Sequence, residues 1–268
     1  PCRAANTVKA DKYAFAHFDA PFLEIELQHL DPPTIQRMIY KIASRAPRQA
    51  ELAFAGLRAA LKRAEALRMI DRTPITLCDA PSHEKKEICY LLPDEARRYL
   101  AACRQIEGGE ILEMMLCLGL RRGEARGLRW QDVDGDVLHI RHQRQGDNLV
   151  TLKSRASRRD IPIPEGLNIG ERGEDDAFLF PYSETELRRR HQKAMELAKI
   201  EKCVTLHGLR HPCATLAVIS GSQMLTVQHL LGHAHLSTTS DIYCHIDRRE
   251  LTHTTAAIFV SVSPRMVC

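Results

Sequence analysis

The sequence predicts a mainly α-helical protein with one small antiparallel β-sheet, arranged in two domains. Its 268 residues exceed what one ordinary domain needs. Apolar residues recur at helical spacing over most of the chain. Between about residues 137 and 163 the pattern changes to the alternation that is typical of strands. The sheet is therefore expected within the second half of the chain.

The N-terminal domain is predicted to be helical and to span residues 1–80. Pro32 and Pro33 begin one helix that continues to Ile42, because proline fits the first helical turn. A second, longer helix is expected from Leu52 to Ile70, where apolar residues recur every two to four positions. The first 20 residues show too little periodicity to be assigned.

A linker is predicted at residues 81–88. The polar stretch 71–87 contains two prolines and interrupts the helical pattern on both sides of it. The remaining residues, 89–268, form the second and larger predicted domain.

The second domain is expected to combine helices with three strands. A helical pattern begins near Leu92 and continues to about Trp130, with a break at Gly108–Gly109. Helical periodicity returns from Glu184 to the mid-250s. The expected strands are residues 137–141, 149–153 and 160–163, with a basic turn before the last.

Composition restricts the class of protein. The chain is 44% hydrophobic and 27% charged, which is ordinary for a globular protein and argues against disorder. The sequence contains no run of 18 apolar residues, so no membrane span is predicted, and no secretory signal is visible. Nine cysteines without a C-x-x-C pair indicate a reduced, intracellular protein. The sequence begins without methionine, which is compatible with a truncated N-terminus.

The basic residues are clustered although the net charge is small. Lysine and arginine total 38 against 34 acidic residues, and this excess is a weak sign of nucleic-acid binding. The bases concentrate near Arg121, near Lys153 and at Arg188–Arg190. Such clusters suit either phosphate or a solvated surface, and the sequence leaves both interpretations open.

Three segments carry the residues that suggest chemistry: GLRRGEARGLRW at 119–130, LHGLRH at 206–211 and LGHAHLSTTSDIYCH at 231–245. His207 and Arg210 lie three residues apart, so a helix would place them on one face. Arginine contacts two phosphate oxygens at once and keeps its charge. Tyr243 is a candidate covalent nucleophile, although its ordinary pKa near 10 means that it needs help. The residues alone therefore indicate a site that could hold a phosphodiester.

The three segments resemble the motifs of the tyrosine recombinase (phage integrase) family. That family carries G-L-R-x-x-E-L-x-x-L-x-W-x-D, then H-x-L-R-H, then L-G-H-x-x-x-x-T-T-x-x-Y-x-H, and this chain matches all three in order. The resemblance covers most of residues 30–250. It implies that residues 1–80 are a helical core-DNA-binding domain and that residues 89–268 are the catalytic domain.

The resemblance also implies the site residues. Glu124 corresponds to the acid that supports the first arginine, and Tyr243 corresponds to the nucleophile. The full catalytic set is Arg121, Lys153, His207, Arg210, His233 and Tyr243. Candidate contacts to DNA are Arg122, Arg155, Arg158, Arg159, Arg188 and Arg189.

The implied activity is site-specific cleavage and rejoining of duplex DNA through a 3′-phosphotyrosyl intermediate, as in DNA integration and excision. It needs neither metal, ATP nor any other cofactor. The implied partners are double-stranded DNA and further copies of the chain, in a tetramer whose C-terminal tails contact neighbouring protomers. A location in the cytoplasm at the nucleoid, away from membranes, is expected.

Alternatives and departures accompany this prediction. One alternative is a catalytically inactive DNA-binding relative, and another is an enzyme like the type IB topoisomerases that relaxes DNA. A zinc site would use His229, His233 and His235, but no H-E-x-x-H motif is present. Pro212 stands where the family usually has threonine or serine, which puts the local backbone in question.

Overall fold

The computed structural model describes residues 5–84, 89–152 and 154–232. The chain divides into two compact units, residues 1–87 and 88–268, here called the N-terminal and C-terminal units. Helices and small antiparallel sheets make up the described part, as the sequence predicts. None of the helices in those ranges is both long and apolar enough to span a bilayer.

The described part of the N-terminal unit contains helices and no strands. Its helices are α1 (Ala5–Phe15), α2 (Ala20–Leu23), α3 (Pro32–Ala43) and α4 (Pro47–Ala66). The Asp31 carboxylate accepts a hydrogen bond from the Thr34 backbone N–H at 2.8 Å and so caps α3. Helix α4 packs against α1 and α3 around an apolar core that includes Ile35, Ile39, Leu57 and Leu61.

The second predicted helix is displaced from its expected bounds. It begins at Pro47, because proline serves as its first residue, and it ends at Ala66. Arg68 follows in the left-handed region with φ of 57°, which stops the helix before Ile70. Leu52 and Leu67 are exposed, so they do not belong to the buried face that the periodicity suggested.

The C-terminal unit begins with α5 (Pro93–Cys103), α6 (Glu110–Cys117) and α7 (Arg122–Gly127). The predicted break lies between α5 and α6, where Gly108 has φ of 72°. A second break, between α6 and α7, was not predicted. Gly119 there has φ of 61°, and a Cβ at this position would lie 2.6 Å from Leu231 Cδ2. The loop before α7 is therefore in close contact with a helix more than 100 residues later.

The strands form two small sheets rather than the single predicted sheet. Strands β1 (Val133–Asp134), β2 (Val137–Ile140) and β5 (Arg159–Pro162) pair antiparallel in the order β1-β2-β5. Strands β3 (His142–Gln145) and β4 (Asn148–Thr151) form a separate hairpin. Ile140 pairs with Arg159, and β3 packs on α7. Strands β1 and β3 were missed, because β1 has two residues and β3 has no apolar residue.

The second half of the unit contains α8 (Glu184–Leu197), α9 (Arg210–Ile219) and α10 (Met224–Leu231). The large core includes Tyr99, Ile111, Leu138 and Leu187. A smaller cluster joins α9 to α10 through Cys213, Ala214, Val227 and Leu231. This packing brings the end of α10 to the motif at 119–130, which positions the site described next.

Candidate active site

Arg121 and Glu124 form the first part of the site, at the start of α7. Arg121 precedes the helix, and Glu124 accepts a hydrogen bond from the Arg121 backbone N–H at 2.9 Å. The other oxygen of the carboxylate, Oε1, accepts from Arg121 Nη1 at 2.6 Å. Glu124 is fully buried, whereas about a third of the Arg121 side chain is exposed (32%). The buried acid thus holds a guanidinium that still reaches solvent.

Arg159 is the second cation on Glu124. Its Nη1 and Nη2 donate to the two carboxylate oxygens at 3.3 and 2.9 Å, and its Nε donates to Leu230 O at 2.6 Å. Burial raises the pKa of Glu124, but the Arg159 and Arg121 guanidiniums outweigh that effect and hold its pKa below the ordinary value. The carboxylate is therefore ionised at neutral pH.

This geometry corrects the interpretation of Arg159 as a contact to DNA. The residue is buried, and every N–H group named above is directed into the protein. Strand alternation was the signal that could have shown this. Arg159 and Ile161 lie on the same, inward face of β5, while Asp160 and Pro162 face outward.

His207 and Arg210 come from the second motif. A short 3₁₀ turn over Leu206–Leu209 carries His207, and Arg210 is the first residue of α9. The Thr205 hydroxyl accepts a hydrogen bond from the Gly208 N–H at 3.1 Å and so begins the turn. Pro212 is the third residue of α9, within the first turn, where proline is tolerated. The proline therefore fits this backbone without distortion.

Arg210 is a buried cation held by backbone carbonyls. Its Nη1 donates to Gly119 O at 2.6 Å, and its Nη2 donates to Leu231 O. Its Nε is buried without a partner among the described residues. Burial and then the nearby Arg121 charge lower the pKa of Arg210 to about 9. An anion placed beside these two guanidiniums would relieve both effects.

His207 lies at the exposed rim of the same cluster. Partial burial, followed by the Arg210 and Arg121 charges, lowers the pKa of His207 below its ordinary value of 6.5. The imidazole is therefore mostly neutral at pH 7, and it has a nitrogen that can accept a proton.

A cleft of about 560 Å³ opens beside Arg121 and His207. Glu184 pairs with both Arg122 and Arg188 on its wall, at 2.8 and 2.6 Å. The lining residues are mainly cationic or imidazole-bearing: Arg121, Arg122, Gly123, Arg188, His191, Thr205, Leu206 and His207. A concave surface with this charge suits a phosphate group.

The phage integrase family model matches residues 90–250, which is more than half of the chain. The chain belongs to the phage integrase family. This membership confirms the family that the three motifs indicated. The matched range includes nearly all described residues of the C-terminal unit and continues past Gly232, the last described residue.

Individual relatives agree with this family. A tyrosine recombinase XerC of Natranaerobius thermophilus is 34% identical over 155 residues, covering 53% of this chain and 52% of the relative. The integrase of Escherichia phage P2 is 30% identical over 165 residues, covering 60% of this chain and 44% of the relative. The chain thus spans about half the length of these relatives.

Solved structures show the same fold. The Tn1549 transposon integrase in complex with a circular intermediate DNA superposes with a TM-score of 0.73 at 16% identity, covering 96% of this chain and 94% of that one. A lambda integrase dimer bound to a COC′ core site gives a TM-score of 0.69 at 18% identity, covering 90% and 72%.

The predicted site residues of this integrase-family chain fall into two groups. The structure brings together Arg121, Glu124, His207 and Arg210, although they come from segments up to about 90 residues apart. Lys153, His233 and Tyr243 lie outside the described residues.

The predicted DNA contacts also differ from one another. Arg122 and Arg188 line the cleft, although both pair with Glu184. Arg158 and Arg189 are exposed. The side chain of Arg155 is outside the described part, and Arg159 is buried as stated above.

Sequence reasoning did not single out His191, which lies in the wall of the cleft. Its Nδ1 is 2.6 Å from the Tyr99 hydroxyl, and its Nε2 is 2.7 Å from Val204 O. It thereby ties α8 to the segment that leads into His207. Within residues 5–84, 89–152 and 154–232, no group of three or more potential ligands is arranged to hold a metal ion.

Proposed function

We propose that this chain is a site-specific tyrosine recombinase that cleaves and rejoins duplex DNA. The observation that supports it best is that Arg121 and His207 line one cleft and that the buried Arg210 lies beside them. Among the described ion pairs Arg210 has no carboxylate partner, and its Nε is unpaired. A scissile phosphate supplies the negative charge and the acceptor oxygens that such a cluster lacks.

In the proposed reaction, Tyr243 Oη attacks the scissile phosphorus and the bond from phosphorus to the 5′ oxygen breaks. The tyrosine proton leaves with help from His207, and the pKa of His207 below 6.5 keeps it neutral and able to take part. Lys153 protonates the departing 5′ oxygen. A 3′-phosphotyrosyl bond remains, so the attack of another 5′-hydroxyl reverses the step without ATP.

Charge neutralisation is assigned to the two arginines. Arg121 and Arg210 contact the non-bridging oxygens, over which the negative charge of the transferred group is spread. Glu124 does not touch the phosphate, because a carboxylate there would repel it; it holds Arg121 instead. His233 is assigned a hydrogen bond to the phosphate.

We propose that both units bind the duplex and that the protein acts as a multimer. In this multimer the C-terminal tail of one protomer contacts a neighbouring protomer. Residues 1–80 are proposed as the helical core-DNA-binding domain, residues 81–88 as the linker and residues 89–268 as the catalytic domain. The exposed Arg158 and Arg189 and the cleft arginines Arg122 and Arg188 are proposed backbone contacts. Light scattering of the protein on a duplex site measures the number of copies.

A nicked suicide substrate tests the activity. It carries the duplex DNA that flanks the gene, and cleavage releases a short fragment whose 5′-hydroxyl cannot return. Wild type is expected to form a covalent protein–DNA adduct, whereas Tyr243→Phe forms none because it lacks the nucleophile. Absence of the adduct with wild type on the correct site contradicts the proposal. Strand exchange between two duplexes, rather than relaxation of supercoils alone, separates a recombinase from a topoisomerase.

A further inference from the structure

Three arginines from three separate segments converge on the C-terminal turn of α10. Arg159 Nε donates to Leu230 O at 2.6 Å, Arg210 Nη2 donates to Leu231 O, and Arg121 Nη2 donates to Gly232 O at 2.9 Å. Carbonyls at a helix C-terminus carry partial negative charge, which favours cations. The proposed reaction assigns charge neutralisation to Arg121 and Arg210 and assigns no role to Arg159.

Arg159 has the contacts of a residue that orients another residue. It bonds both oxygens of Glu124, whose Oε1 also bonds Arg121. Gly232 closes over it, since a Cβ at Gly232 would lie 3.0 Å from Arg159 Nη1. The guanidinium is thus fixed on one side by the α10 turn and on the other by the carboxylate.

We propose that Arg159 is a positioning residue for Arg121, acting through Glu124. It anchors the Glu124 carboxylate to the end of α10, so that the Arg121 guanidinium is held toward the cleft in one orientation. With Arg159 removed, the buried carboxylate would keep Arg121 as its only cation and would be free to turn toward it. This inference rests on the proposed function, because its effect is measured on phosphoryl transfer.

The first experiment compares adduct formation by wild type and Arg159→Gln on the suicide substrate. At saturating DNA the rate is expected to fall about 10- to 100-fold, by analogy with metal sites, where loss of a group that orients a metal ligand has an effect of this size. The dissociation constant for DNA should change less than about twofold. Arg159→Lys should recover part of the rate, because its ammonium keeps the positive charge but cannot bond both Glu124 oxygens and Leu230 O as the guanidinium does.

Arg172→Gln is the matched control. Arg172 is an exposed arginine of the same unit that pairs with Asp175 at 2.8 Å, so its loss removes the same charge away from the cleft. Its rate should equal that of wild type. An Arg159→Gln rate that also equals wild type overturns the inference.

A methylphosphonate at the scissile position separates positioning from general damage. This group lacks one charged oxygen and needs less neutralisation by arginine. The defects of Arg159→Gln and Arg121→Gln should therefore both shrink on the methylphosphonate. An Arg159→Gln defect of the same size on both substrates would show that the residue does not act through Arg121.

A double-mutant cycle with Glu124→Gln tests the route. If Arg159 acts through Glu124, the double variant should be about as slow as Glu124→Gln alone, and multiplied defects refute that route. The double variant removes both buried charges and so avoids the unpaired charge that each single variant leaves. If Arg159→Gln does not fold, Arg159→Lys, which keeps the charge, is used in its place, and a rate equal to wild type overturns the inference. Failure of wild type to form an adduct refutes the proposed function itself and is thus distinguishable.

Discussion

The two units bury different kinds of side chain. In the described part of the N-terminal unit, Thr73 is the one side chain that is both buried and polar, and the rest of the core is apolar. Among its described residues, the C-terminal unit buries four charged or imidazole side chains beside its site and three more around its core: Glu124, Arg159, His191 and Arg210, with Glu113, Arg126 and Asp132.

This difference separates residues that stabilise the fold from residues that take part in the proposed reaction. Buried ion pairs usually stabilise less than an apolar replacement of the same shape, because both charges lose their hydration. The almost wholly apolar core of the N-terminal unit is therefore the kind expected where core residues serve stability only. In the C-terminal unit, Glu124, Arg159, His191 and Arg210 lie in or beside the site, where their charge or hydrogen bonding serves the proposed chemistry.

The largest expected effect comes from Glu124→Gln. This change leaves Arg159 buried without its counterion, and breaking a buried pair costs about 3–5 kcal/mol. The single tryptophan of the chain, Trp130, is buried in the C-terminal unit, so its fluorescence follows the unfolding of that unit. An unchanged midpoint in urea would mean that the buried pair has no stabilising role.

The second prediction concerns the apolar unit. Ile39 is fully buried in α3, and Ile39→Ala should lower the free energy of unfolding of the N-terminal unit by about 3 kcal/mol through the lost burial and the cavity. The part of the helical circular dichroism that comes from the N-terminal unit should be lost at lower urea, while the Trp130 transition and the part from the C-terminal unit stay in place. Tyr40→Ala is the control, because the neighbouring Tyr40 is exposed. A shift of both transitions would show that the units do not differ in this respect.

Inorganic sulfate should stabilise one unit more than the other. An anion beside Arg121 and Arg210 offsets the burial and repulsion that lower the pKa of Arg210 to about 9. At about ten times its dissociation constant it adds about 1.4 kcal/mol to the folded state. The Trp130 transition should move to higher urea relative to chloride at equal ionic strength. If the part of the circular dichroism that comes from the N-terminal unit shifts as far as the Trp130 fluorescence, the stabilisation is a general salt effect instead.

The smallest effect is expected in the pH dependence of the reaction rate. Because the pKa of His207 is lowered, its neutral form persists below pH 6.5, and the adduct rate should fall only under that pH. His207→Gln should be slower and should lose this acid limb. Single-turnover rates between about pH 5 and 8 measure it, and a limb that begins above pH 6.5 is inconsistent with a neutral His207.

Local signals account for the parts of the fold that the sequence predicted well. Helix α3 carries its cap, its prolines and its apolar stripe within about 12 residues. Strands β2, β4 and β5 coincide with the three expected strands to within a few residues. Strand β3 escaped notice because its sequence HQRQ has no apolar side chain, and only its pairing with β4 makes it a strand.

Residue types at short, fixed spacings were enough to predict the family, the mainly helical class and the candidate site residues. The tertiary structure was needed to show that Arg159 bonds Glu124, that Arg210 is buried and that three arginines share the end of α10. Those bonds join residues 35, 91 and 111 positions apart, and such contacts depend on packing that no local pattern encodes.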